Sequence, residues 1–375
     1  MLELTLYGLD FALTMVGVFF VIKLGYAFEH FKPKRPIGPV VDLKDLPSVS
    51  VCIPARNEAH AMTQCLERVI ASNYPKLEII VLDDSSADDT SFLIKSFAHA
   101  GVRFVEGARL PTGWLGKNYA LEGLLGEASG SFVLYMDVDT QLAPDTIGQL
   151  VAFAASEAAA MVSVLPRRQD GWRLSLLLGS LRYYWELMLH RRSAPAVASG
   201  AWLINRRVLL DELGGFASYK NDIQPEAKLA AKLLERDGYR FIIGTPELGV
   251  SYEKKWSSQV DTSIRLLYPL LGGRLAGNLL ALVGLCLLNL PSLVLLIGLF
   301  DGWGIIQTVA TWQLCVFGAL YGLYLDRVWQ KGWWLGLMLW PVVIAQEAII
   351  LGLSIGRYRS HRVNWKGRPI TAIGR

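Results

Sequence analysis

Three acidic clusters stand where short apolar runs stop. Phe132-Val133-Leu134-Tyr135-Met136 ends in Asp137-Val138-Asp139, Val81-Leu82 ends in Asp83-Asp84-Ser85-Ser86, and Val51-Cys52-Ile53 ends in Pro54-Ala55-Arg56-Asn57-Glu58. Residues two apart on an extended strand share a face, so Asp137 and Asp139 converge. Converging carboxylates repel unless a cation or a network of sugar hydroxyls offsets the repulsion. Such hard oxygen ligands suit Mg2+ or Mn2+, which then bridges to substrate phosphates. An Asp-x-Asp triplet alone is a weak signal. It gains weight at the end of a strand that follows two other acidic strand ends. Asp83 and Asp84 are expected to accept hydrogen bonds from a base or ribose, and Asp88 and Asp89 to cap the next helix.

The elements that must position these groups are legible as periodicity. Residues 49–53, 77–82, 102–106 and 132–136 are β-rich runs, alternating with helical patterns over 59–71, 89–100 and 117–128. Such alternation predicts an α/β domain with a mainly parallel sheet and ligands at the C-terminal strand ends. Its expected extent is 46–274.

The remainder of the 375 residues is apolar. Hydrophobic residues make up 52% of the chain and charged residues 19%, which disfavours both an ordinary soluble enzyme and a disordered chain. A net charge of +4 is too mild to argue for nucleic acid. Residues 6–28 are nearly all apolar and long enough to cross a hydrocarbon core of about 30 Å, so 1–30 is expected to be a membrane anchor. No basic start precedes this run, and Lys32, Lys34 and Arg35 follow it, which places the next domain in the cytoplasm. Three further runs, 275–300, 303–325 and 333–355, predict C-terminal membrane helices over 275–356. The tail 357–375 carries Arg357, Arg359, Arg362, Lys366, Arg368 and Arg375 and no acid, which favours the inside, whereas four crossings would bring it outside. The expected resolution is that 303–325, with Gln307 and Gln313, is interfacial or re-entrant. Residues 172–189 are apolar and aromatic but contain Arg173, Arg182 and Glu186, and suit a helix lying in the membrane surface, with a core helix of the α/β domain as the alternative. Cys52, Cys65, Cys286 and Cys315 lie far apart and are expected to be small buried hydrophobes.

In order, Ile53–Glu58, Asp83–Ser86, Gly113-Trp114-Leu115-Gly116-Lys117-Asn118 and Asp137-Val138-Asp139 resemble the motifs of the family 2 glycosyltransferases of the A-type (GT-A) fold. Within that family the chain is most similar to membrane-bound enzymes that glycosylate lipids, such as the 4,4'-diaponeurosporenoate (carotenoid) glycosyltransferases, and more distantly to ceramide and hopanoid glycosyltransferases. Val363-Asn364-Trp365-Lys366-Gly367-Arg368 resembles a tail motif of that group. The resemblance implies that Pro54, Ala55, Glu58 and Asp84 surround a nucleotide base and ribose, with Asp137 near the ribose. It further implies that Asp139 binds Mg2+ or Mn2+ on the diphosphate and that Lys117 stands near the diphosphate or donor sugar. A lysine at a helix N-terminus opposes the macrodipole, which supports a functional reading of Lys117.

The second half matches the acceptor side. Gly200, within Ser199–Arg207, aligns with a strand and loop near the donor sugar, and Gly214-Gly215-Phe216 with a turn. The family's Glu-Asp pair, whose aspartate is the general base, aligns with Pro225-Glu226, so Glu226 is the candidate base and Asp222 the second candidate. The Gln-x-x-Arg-Trp of processive synthases is missing. Trp256 through Arg265 supplies related residue types at other spacings, with Arg265 a candidate phosphate contact. The resemblance thus implies a single, inverting, metal-dependent transfer of a sugar from a nucleotide-diphosphate sugar to a membrane lipid. The protein would be a multi-pass protein of the cell (plasma) membrane with its catalytic domain in the cytoplasm. The alternatives are a polyprenyl-phosphate sugar or polysaccharide synthase, and a non-catalytic membrane-bound nucleotide-sugar-binding protein.

Overall fold

The computed structural model describes residues 2–32, 43–169, 179, 181–190, 194–329 and 334–370. The chain opens with α1 (Leu2–His30). A β/α succession follows: β1 (Val49–Ala55), α2 (Ala59–Ile70), β2 (Leu77–Asp83), α3 (Thr90–Ser96), β3 (Val102–Glu106), α4 (Gly116–Glu127) and β4 (Phe132–Met136). Then come β5 (Thr140–Leu142), α5 (Thr146–Ser156), β6 (Met161–Leu165), β7 (Arg167–Arg168), α6 (Arg182–Met188), β8 (Ala201–Asn205), α7 (Pro225–Leu234), β9 (Tyr239–Ile243) and β10 (Val250–Tyr252). Five helices close the run: α8 (Trp256–Leu270), α9 (Leu275–Leu288), α10 (Leu290–Asp301), α11 (Ile305–Val328) and α12 (Leu335–Arg359). A hairpin of β11 (Asn364–Trp365) and β12 (Arg368–Pro369) ends the described chain.

These elements form two compact units. The first gathers Met1–His30, Asp170–His190 and Lys254–Val363, and the second gathers Phe31–Gln169, Arg191–Glu253 and Asn364–Arg375.

In the second unit seven strands form one sheet in the order β3-β2-β1-β4-β8-β6-β9. Pairing is parallel except where β8 runs antiparallel to β4 and β6. The expected strands and helices before residue 137 are all present, with ends shifted by a few residues. Order follows burial: β1 is buried along nearly its whole length and sits centrally, whereas β3 at the edge exposes Arg103 and Glu106. Because β1, β2 and β4 are parallel and in register, their acidic C-terminal ends emerge along one rim. The other rim is tied by Glu78, which accepts hydrogen bonds from Ser50 and Ser129 and from the Gly130 N–H at 3.2 Å. Burial pushes the Glu78 carboxyl up, but these hydrogen bonds outweigh it and hold the group below its ordinary range. A depressed carboxyl contributes stability that is present above its unfolded pKa and lost as pH falls through its folded one. Glu78→Ala is therefore expected to lower stability by about 1–2 kcal/mol at neutral pH, with the difference from wild type shrinking below about pH 4. Thermal melting across pH checks this.

The first unit is helical. Among the described residues four apolar helical stretches are long enough to cross a membrane: Tyr7–His30, Leu275–Phe300 (α9 followed by α10), Ile305–Val328 and Leu335–Arg359. α11 is one unbroken 24-residue helix, and Gln313, whose polarity distinguished this run, donates to the Asp10 carbonyl at 3.0 Å and to Thr14 Oγ1 at 3.2 Å. Of residues 172–189, positions 172–178 and 180 lie outside the described residues. α6 puts Tyr184, fully buried, against the rings of Tyr321, Tyr324 and Trp340, so this part packs inside the helical unit and is not a core helix of the sheet domain. The cysteine expectation holds for Cys52 and Cys65 only. Cys286 and Cys315 are exposed on α9 and α11, where the apolar surroundings that suggested burial are helix faces turned outward.

Candidate functional site

The loops after β1 and β2 are knit together before any side chain is placed for chemistry. Asn57 and Ser85 both adopt left-handed backbone, at φ of 52° and 56°. This is a conformation that costs a non-glycine residue free energy and needs support from its surroundings. Support is present: the Asn57 N–H donates to Ser86 Oγ at 2.9 Å, and the Ala87 N–H donates back to Asn57 Oδ1 at 2.8 Å. The backbone bond from Asp84 N–H to the Ala55 carbonyl, 2.8 Å, carries the β1–β2 pairing to the rim. Pro54 and Ala55 lie in the last turn of that ladder.

The two acids of Asp83-Asp84 have separate fates. Asp83 accepts from the hydroxyls of Ser86 and Ser91 and is consumed in building the start of α3, so its expected ligand role does not survive. Asp84, 3% exposed, instead receives Arg368 Nη1 at 2.6 Å. Burial pushes its carboxyl up, and the Arg368 and Arg56 guanidinium groups oppose that push. Asp88 meets the capping expectation: it accepts from the Ala59 N–H at 3.1 Å and from the Thr90 N–H at 3.1 Å. Asp89 is the N-cap residue of α3 but makes no side-chain cap bond.

The Asp-x-Asp turn is held from β8. Register pairs Met136 with Ala201, so the chain leaves β4 opposite Gly200. The Gly200 carbonyl accepts from the Asp137 N–H at 3.0 Å and from Thr140 Oγ1 at 2.8 Å. Gly200 thus acts through its backbone, and a Cβ there would come within 3.2 Å of Thr140 Oγ1. Asp137 and Asp139 are half-buried. Lys117, in the first turn of α4, bonds Asp137 Oδ1 at 2.7 Å. Glu58 lies within electrostatic reach of both aspartates: burial raises its carboxyl most, Lys366 opposes, and Asp139 and Asp137 raise it further.

Among the described residues no three acidic, His or Cys groups form a closed metal cage. The donor set fits a divalent cation of another kind, bound through one or two carboxylates with the remaining ligands from substrate phosphates and water. Asp139 and Asp137 are the residues that would hold it.

α4 also fastens the candidate acceptor side. Asn118 Nδ2 donates to the carbonyls of Tyr219, Lys220 and Asp222 at 2.8, 3.2 and 2.8 Å, and the Leu115 N–H bonds the Lys220 carbonyl at 2.9 Å. The expected Gly-Gly-Phe turn is clamped by Glu122, which takes the Phe216 N–H at 2.7 Å. Gly215, at φ of 64°, would drive a Cβ to 2.8 Å from the same carboxylate. Asp222 is half-buried, its carboxyl raised by burial against the pull of Lys228. Glu226 is 3% exposed in the first turn of α7, directly after Pro225 at the helix start. Arg265 is carried by α8 of the first unit, where its carbonyl accepts from Tyr358 Oη at 2.6 Å.

Sequence reasoning missed three cations. Arg56 Nη1 bonds the Asp84 carbonyl and the Ser85 carbonyl, and its Nε bonds the Lys366 carbonyl at 3.2 Å. Lys366 pairs with Glu58, and Arg368 with Asp84. Lys366-Gly367 is a two-residue turn signal, but nothing in the sequence reveals a partner some 300 positions away.

Residues 50–214 match the model of glycosyl transferase family 2. An undecaprenyl-phosphate 4-deoxy-4-formamido-L-arabinose transferase of Sodalis glossinidius is 29% identical over 143 residues, 36% of this chain and 42% of that one. The counterpart from Aeromonas hydrophila is 35% identical over 139 residues, 34% and 40%. The matches span less than half the length of these relatives. A mannosyltransferase from Pyrobaculum calidifontis, solved in complex with GDP-Man and Mn2+, superposes over 94% of this chain and 98% of its own at a TM-score of 0.54 and 21% identity, a likeness of fold. The sheet unit has the A-type glycosyltransferase fold, and residues 50–214 are a family 2 glycosyltransferase domain.

Proposed function

We propose that the chain is an inverting glycosyltransferase that moves one sugar from a nucleotide-diphosphate sugar to a membrane lipid. The observation that carries this reading is the half-buried Asp137–Asp139 turn at the end of β4 with the Lys117 ammonium seated on Asp137. In this reading Pro54, Ala55, Glu58 and Asp84 form the nucleoside end, and Gly200 shapes the donor-sugar end through the turn it holds. A divalent cation, Mg2+ or Mn2+, on Asp139 would supply positive charge to the departing diphosphate. Lys117 fixes the Asp137 carboxylate and adds a second cation beside the leaving group. Glu226 takes the proton from the acceptor hydroxyl as its oxygen bonds to the anomeric carbon and the bond from that carbon to the diphosphate oxygen breaks. Asp222 flanks it as the second candidate base. Arg265 is kept as a phosphate contact for the acceptor side.

The apolar helices support retention at the cell membrane, where an insoluble acceptor is found, with a cytoplasmic catalytic domain over 46–274 between the anchor 1–30 and the helices of 275–356. The likeness to undecaprenyl-phosphate sugar transferases favours a second reading, a polyprenyl-phosphate acceptor. Membranes containing the protein, incubated with Mn2+ and a panel of radiolabelled nucleotide sugars, are expected to place label in the organic phase. Treating that lipid with mild acid separates the readings, because a sugar on a lipid phosphate is released and a sugar on a hydroxyl is retained. No label from any donor sinks both.

A further inference from the structure

The C-terminal hairpin sits on the rim where the proposal places the nucleoside end. Asn364 pairs with Pro369 and Trp365 with Arg368, leaving Lys366 and Gly367 as a two-residue loop with φ of 46° and 82°. Both values are left-handed, as a type I′ hairpin requires, and Gly at the second position meets that demand without strain. The hairpin is bound from both sides. Lys366 Nζ meets Glu58 and the Arg56 carbonyl, the latter at 2.6 Å, Arg56 Nε meets the Lys366 carbonyl, and Arg368 Nη1 meets Asp84. The start of α4 is shaped to receive it: a Cβ on Gly116 would stand 2.8 Å from Arg368 Nη1 and 3.0 Å from the Trp365 ring. Glycine in the Trp-Leu-Gly-Lys segment is thus the residue that lets the tail lie there.

We infer that this hairpin is a wall of the donor site and that Arg368 and Lys366 are nucleotide-binding residues. The inference rests on the glycosyltransferase reading above. Charge carries it. Without the hairpin Glu58 would lose Lys366 and Asp84 would lose Arg368, with Arg56 left beside Asp84, and these acids would repel a nucleoside diphosphate. With the hairpin, two cations neutralise those acids. The Lys366 and Arg368 side chains keep 27% and 22% exposure, and Arg368 commits only Nη1 of its guanidinium to Asp84. A guanidinium presents five donors in a fixed fork, so the remaining ones can meet phosphate or base oxygens while Asp84 holds the group in place. The acids on the rim therefore act through the tail, and Asp84 is a positioning residue for Arg368.

The test uses the full chain in detergent and titrates UDP and, separately, GDP in the presence of Mn2+. Arg368→Ala is expected to weaken binding of the preferred nucleotide by about tenfold or more, the loss of one or two charge-assisted hydrogen bonds, with Arg368→Lys between it and wild type. Unchanged binding, or tighter binding as for a plug that competes with the donor, overturns the inference. Hydrogen exchange on the wild type needs no variant to fold: amides of 364–368 are expected to exchange several-fold more slowly with nucleotide and Mn2+ than without. Equal or faster exchange overturns it. Wild type that binds neither nucleotide defeats the glycosyltransferase reading itself, and wild type that binds while Arg368→Ala binds equally defeats only the role of the hairpin.

Discussion

Asp139→Asn is expected to abolish label transfer into lipid, with a loss of at least about a thousandfold, roughly 4 kcal/mol of transition-state stabilisation. The amide keeps the size and one oxygen of the carboxylate but removes the charge that makes Asp139 a ligand for a hard cation. Because Asp139 is half-buried at the open end of β4 and its carbonyl accepts the Glu253 N–H at 3.2 Å, the backbone of the turn is anchored independently of the side chain. The variant should therefore melt close to wild type. A second readout isolates the role: Mn2+ is expected to tighten nucleotide binding in wild type and to have little effect in Asp139→Asn. Asp139→Glu should recover part of both. Wild-type transfer, or undiminished Mn2+ dependence of nucleotide binding in Asp139→Asn, would overturn the assignment. Asp137→Asn is expected to behave differently, since its carboxylate is tied to Lys117 and the substitution removes that ion pair as well.

How much of this was legible follows from which interactions are local. The strands up to β4 declare themselves because each is a short apolar run bounded by polar or turn residues, and their order in an α/β alternation implies parallel pairing with acids at one rim. The antiparallel insertion of β8 is not declared, because pairing Tyr135 with Trp202 joins residues whose sequences hold no reference to each other. The same distinction separates the acids. Asp88 is readable as a cap because the N–H groups that donate to it lie in the helix it precedes and the one beside it. Asp83 is misread as a ligand because Ser86 and Ser91, close in sequence, fold back onto it through a left-handed turn at Ser85 that composition does not reveal. The pairs of Glu58 with Lys366 and Asp84 with Arg368 bridge separations of 308 and 284 residues. The tail reads as basic and cytoplasmic, which is a statement about charge. That Lys366 and Arg368 of this tail meet the acidic rim is a statement about packing, and only coordinates supply it.

Glu226→Gln is expected to lower kcat by about 10²–10⁴-fold, the usual contribution of a positioned general base, while leaving nucleotide binding near wild type. Position supports the role: Glu226 stands in the first turn of α7, and Pro225 fixes the backbone at the helix start. Burial to 3% exposure matches a group that meets its proton only when an acceptor oxygen is bound. Glu226→Asp shortens the side chain by one methylene and restores the residue type that the resemblance places there, so it should retain a measurable fraction of the rate. Asp222→Asn is expected to cost less, because Asp222 lies on the loop that Asn118 holds through backbone carbonyls, and its side chain is not needed to keep that loop in place. The reverse ranking would move the base to Asp222. If neither variant slows transfer more than about twofold, no base is being used. The acceptor must then arrive already ionised, as a lipid phosphate would, and the single chemical difference between the two acceptor classes becomes measurable in one pair of variants.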